Sequence, residues 1–177
     1  MDITINLLAF VGVFVIISLE MLGGRVLAPY FGSSIYVWGS IITIFMLSLS
    51  LGYLFGGKLS LHHPSLKRFG TIFLVAAVLL YPLVYFAEPV MSEVFALIED
   101  PRYGSLIASA ILFILPTIIL GMISPYSVRL LVESTHQSGQ IAGRLYFFST
   151  LGSALGTLAT SFYFVLWFEI NTILTLL

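Results

Sequence analysis

Apolar residues in this chain fall in long runs, and polar ones gather in the short gaps between them. A bilayer core of about 30 Å needs about 20 mostly apolar residues at 1.5 Å each. Five stretches meet that requirement, over residues 3–28, 36–57, 70–86, 105–125 and 141–167. None alternates apolar with polar positions, as the strands of a transmembrane barrel do. The pattern therefore predicts an all-α, polytopic integral membrane protein that forms a single helical domain. The first run is not expected to be a cleaved signal. It opens on Met1-Asp2 with no Lys or Arg ahead of it and no small-residue cleavage pattern after it.

Residues 171–177, NTILTLL, resemble the opening of a sixth helix, although seven residues cover only about 10 Å. They are expected to form an outer-face tail or to be completed by another chain. There is also an internal echo. Pro29-Tyr30 and Pro125-Tyr126 each end a span, and each precedes a helix led by Gly and aromatic residues. Three-span units repeated in opposite orientation occur in many transporters, so the echo is open to two readings, an inverted three-helix repeat or a chance recurrence.

Composition narrows the reading. Hydrophobic residues make up 59% of the chain, charged residues 8%, and the mean hydropathy is +1.10. A soluble domain carries about 25% charged residues to wet its surface, so a soluble enzyme is excluded as the default. A net charge of −1 without clustered Lys or Arg gives no case for nucleic acid. The absence of cysteine removes disulfides, thiolate metal sites and Cys nucleophiles together. Lys58, Lys67, Arg68, Arg129 and Arg144 fall in two loops on one side of a five-span topology. The positive-inside rule then predicts a cytoplasmic N-terminus in an inner or plasma membrane. Trp38, Trp167, Tyr30 and Tyr36 fall at the opposite, outer interface.

Glu20 and Arg25 lie in the outer part of the first span, flanking Gly23-Gly24. An ionisable group within a span costs several kcal/mol, roughly 2.5–3.5 at the centre, unless it faces protein or water. Five residues at 100° each set the two about 140° apart, so direct pairing needs the helix to unwind at the glycines. They are candidates for either an intramembrane ion pair or a ligand site, in which Glu20 attracts a cation and Arg25 an anion. Gly52 with Gly56, and Gly152 with Gly156, form two Gly-xxx-Gly pairs, which let helix backbones approach closely. Pro82, Pro116 and Pro125 predict kinks. His62, His63 and His136 lack metal-ligand spacing and are assigned to solvated loops. No catalytic motif, metal site or cofactor site is expected.

The segment EMLGGRVLAPYFGSSIYVWGSIITIFMLSLSLGYLFGG, residues 20–57, resembles the membrane domain of the spermidine synthase-like family, with Glu20, Arg25, Ala28-Pro29, Gly32, Trp38 and Gly56-Gly57 carrying the likeness. Residues 143–167 resemble that family's Gly-rich helix. Several members join this unit to a soluble aminopropyltransferase-like domain, whose Gly-rich turn and acidic residues are missing here. The resemblance therefore implies a non-catalytic membrane module, an accessory to a synthase- or methyltransferase-like partner or a handler of its substrate or product. Two alternatives stand beside it. One is a small transporter, or half of one, for a cationic or zwitterionic solute. The other is a structural subunit that forms an assembly or homo-oligomer through its small-residue faces.

Overall fold

The computed structural model describes residues 2–132 and 138–177, so His136 lies outside the described residues. The described residues form helices without strands. In chain order these are α1 (Asp2–Phe31), α2 (Ile35–Ser60), α3 (Leu66–Leu80), α4 (Leu83–Leu97), α5 (Pro101–Gly121), α6 (Ile123–Leu131) and α7 (Ser138–Ala159). A π-helical turn at Thr160–Phe164 then leads into α8 (Val165–Trp167) and α9 (Ile170–Leu176). Four helical stretches are long and apolar enough to cross a membrane: Ile3–Phe31, Ile35–Ser60, Pro101–Leu131 and Ser138–Trp167. Helices α3 and α4, bent by 48° against each other, supply a fifth if counted together.

The third predicted span, 70–86, is the one whose limits differ most from the helices. The helix starts earlier, at Leu66, where the Ser65 hydroxyl caps it by accepting from the Arg68 N–H at 3.3 Å. It bends at Tyr81-Pro82, where proline cannot continue the N–H ladder, and then runs on to Leu97. Glu88-Pro89, which reads in sequence as the end of an apolar run, lies within α4. Pro116 sits inside α5 without breaking it, whereas the break before Pro125 falls at Met122, between α5 and α6. At the end of α1, Gly32 adopts φ +75° and its N–H closes on the Ala28 carbonyl at 2.9 Å, a left-handed stop that glycine takes without strain.

Two parallel helix pairs hold the bundle together. Every fourth residue of α2, from Ser40 through Ile44, Ser48, Gly52 and Gly56 to Ser60, is buried. This ridge lies along α5, with the Ser105 hydroxyl donating to that of Ser40 at 3.0 Å. A Cβ on Gly52 would strike the Ile118 carbonyl, and one on Gly56 would lie 2.7 Å from Met122 Cα. The second pair joins α1 to α7. A Cβ on Gly152 would lie 2.5 Å from the Phe10 carbonyl oxygen, and one on Gly156 would lie 2.8 Å from that of Phe14. One turn further on, the Thr160 hydroxyl donates to that of Ser18 at 2.9 Å. Partner numbers rise together in both pairs, so each pair runs parallel. Since lipid is as apolar as leucine, close backbone contact and interhelical hydroxyl bonds carry this association.

Tyr126 secures the short helices. Its ring is fully buried and stacks on Phe69 at 5.8 Å, and its hydroxyl accepts from the Ser65 N–H at 3.1 Å. Tyr126→Phe leaves that donor unpaired at the start of α3. We expect a loss of about 1 kcal/mol in reversible unfolding from detergent. Unchanged stability would mean that the stacked ring alone fixes the joint.

Candidate functional site

Helix α1 continues without a break through Gly23 and Gly24. The unwinding required for direct contact does not occur, and Glu20 and Arg25 form no ion pair among the described residues. The two glycines serve side-chain packing instead. A Cβ on Gly24 would lie 2.7 Å from Cη2 of the Trp38 indole, and one on Gly23 would lie 3.3 Å from the Phe113 ring. Thus Trp38 reaches the surface of α1 because Gly24 has no side chain. Glu20 stays half-buried on α1, seven residues from Val13 and so on nearly the same helix face.

Arg25 opens onto a different set of partners. It lines a cleft of about 470 Å³ together with Pro29 and Tyr30 of α1, Tyr85 and Glu88 of α4, and Glu169 and Asn171 at the start of α9. The α3–α4 bend and the chain reversal after α8 bring these together from three distant parts of the sequence. Arg25 is exposed and forms no ion pair with either glutamate among the described residues. Glu169 occupies the N-cap position of α9 without using its side chain as a cap. The cleft therefore offers two uncommitted carboxylates against one guanidinium.

Two prolines leave carbonyls without donors on residues of the same cleft. Pro29 and Pro89 have no N–H, so the carbonyls of Arg25 and Tyr85 lack their i+4 donors. Both residues line the cleft. Carboxylates, carbonyls and a phenol ring suit an ammonium group, and Arg25 would meet a carboxylate on the same solute. The pocket volume matches a small-molecule site.

Of the residues singled out from sequence, Arg25, Pro29 and Tyr30 meet here, whereas Glu20, Trp38 and the paired glycines do not line the cleft. Glu88, Glu169 and Asn171 carry half of its polar lining, and their spacing in the chain gives no sign of it. The echo between Pro29-Tyr30 and Pro125-Tyr126 also diverges: the first pair lines the cleft, while Tyr126 is buried in the joint with α3. The described residues contain no cluster of three or more His, Cys, Asp or Glu that could hold a metal.

The fold and this cleft define an all-helical protein with membrane-length apolar helices and a charged pocket at one end of the bundle. No family model, curated protein or solved structure matches the chain. The likeness to the spermidine synthase-like membrane domain therefore rests on the residues quoted for it.

Proposed function

We propose that this protein crosses the membrane five times, carries α9 as a short sixth element, and binds a small cationic or zwitterionic amine in the Arg25–Glu88–Glu169 cleft. The cleft itself is the observation that carries this reading: two carboxylates without an ion-pair partner share it with a single guanidinium. With the basic loops cytoplasmic, the cleft opens outward. The relation between the halves supports the inverted repeat, since each Gly-xxx-Gly helix lies parallel on the first helix of the other half. Those contacts fall near the end of α5 but in the first half of α1, so the likeness is one of topology and not of register.

Together with the resemblance, this cleft favours a non-catalytic module that handles the amine substrate or product of a synthase-like partner. A self-contained small transporter uses the same cleft and is the second reading. The assembly-subunit reading loses its main support, because all four paired glycines lie against the chain's own helices.

The test is equilibrium binding of spermidine and putrescine to the purified protein, followed by native mass spectrometry of the protein extracted from its own membrane. Saturable binding that Glu169→Gln weakens is the expected result. Equal binding by wild type and Glu169→Gln would remove the cleft from the function. If a soluble partner docks on the basic loops, charge reversal at Lys67 and Arg68 should release it from the complex. Release is the outcome expected of the accessory module, and a bare protein with amine flux that of the transporter.

A further inference from the structure

A second cavity, of about 450 Å³, lies between α1, α2, α6 and α7, well away from the charged cleft. Its polar lining consists of hydroxyls: Tyr53 on α2, Ser124 on α6, and Tyr146, Ser149, Thr150 and Ser153 on α7. The rest is apolar, and no carboxylate, guanidinium, ammonium or imidazole lines it. The Ser149 hydroxyl oxygen is shielded even from water and so lies behind the cavity wall, whereas the half-buried Ser124 lines the cavity with its hydroxyl unpaired. Ser153 donates to the Ser149 carbonyl at 3.3 Å and so keeps its lone pairs free to accept.

This lining selects a chemistry. A charged group would enter a low-dielectric site without a counter-charge, which is strongly unfavourable. A purely apolar chain would cover the Ser124 hydroxyl and leave it unsatisfied. A neutral group that both donates and accepts hydrogen bonds, with an apolar flank, meets both conditions. The exposed rings of Tyr53 and Tyr146 stand at the mouth, on the surface that α2 and α7 present to their surroundings.

We propose that this cavity is a binding site for an uncharged, hydroxyl-bearing group such as a glycerol moiety, borne by a neutral lipid or by a free polyol. The inference is independent of the amine reading of the charged cleft.

The natural chain has no cysteine, so a single introduced thiol reports on each pocket. Thr150→Cys, at an exposed position on the cavity rim, leaves Ser124 in place, and Asn171→Cys reports on the charged cleft. Both variants are prepared in dodecyldimethylamine oxide, which has no hydroxyl groups, and labelled with a maleimide. We expect 1-monooleoylglycerol to slow labelling of Thr150→Cys at least tenfold and to leave Asn171→Cys unchanged. Adding Ser124→Ala to the Thr150→Cys variant should abolish most of that protection. Protection by monooleoylglycerol alone identifies a lipid source, and protection by glycerol as well identifies the polyol group as sufficient. The proposal is overturned if neither compound protects, if hexadecane protects equally, or if spermidine protects Thr150→Cys. Spermidine protection of Asn171→Cys reads out the charged cleft separately, so either site can fail without the other.

Discussion

Neutralising both carboxylates of the charged cleft, as Glu88→Gln with Glu169→Gln, should weaken amine binding about thirtyfold. Each glutamate is exposed at the end of the bundle, so its attraction for an ammonium is screened and contributes about 1 kcal/mol, not the larger figure of a buried pair. Two such losses come to about 2 kcal/mol, or roughly thirtyfold. Screening also predicts that raising salt weakens binding to the wild type more than to the double variant. Calorimetric titration at two ionic strengths checks both points, and a salt-independent affinity would refute the electrostatic account. Arg25 divides the two ligand classes by sign. Arg25→Gln should tighten a polycation such as spermidine, because it removes a like charge, and should weaken a zwitterion, because it removes the partner of the carboxylate.

Gly152→Leu should cause a large loss of stability. The added side chain would begin 2.5 Å from the Phe10 carbonyl oxygen, which is backbone and cannot rotate away. Helix α7 must then move off α1, which also breaks the Thr160–Ser18 hydroxyl pair. Overpacking of this kind costs about 1–3 kcal/mol or more, and the lost hydroxyl pair adds about 1. Thermal unfolding in detergent should register the loss. Gly139→Ala is the control, because a Cβ there meets nothing within 4 Å. That substitution should leave the seam intact and raise stability slightly through better helix propensity. If Gly152→Leu unfolds at the wild-type temperature, α7 does not depend on the seam.

Membrane-length helices were readable from the sequence because lipid imposes one long apolar run per crossing, and runs survive errors of several residues at their ends. The paired glycines were readable for the same reason of scale, since Gly-xxx-Gly repeats with the helix turn. Which helix each pair would meet was not readable: Gly52 and Gly152 carry the same local motif yet dock on α5 and α1. Of the charged cleft, only the α1 wall of Arg25, Pro29 and Tyr30 was legible. Glu88 and Glu169 each resemble an ordinary end-of-span acid, and only the bend at Pro82 and the turn after Trp167 bring them to Arg25. Glu20 and Arg25 stood out as charges within a span, as an ion pair or a ligand site, and the unbroken helix keeps them on different faces.

The α1–α7 seam has a consequence for how the protein is made. The hydroxyl pair that closes it joins residues 142 positions apart. At about 5–20 residues per second, Ser18 leaves the ribosome roughly 7 to 30 seconds before Thr160. For that interval Phe10, Phe14 and Ser18 face the bilayer, or the insertion machinery, without α7. Both α2 and α5 are synthesised within that wait, so α1 is enclosed only when α7 arrives. A nascent chain arrested between α6 and α7 should therefore keep crosslinking to the insertion machinery through α1, and release should come with α7.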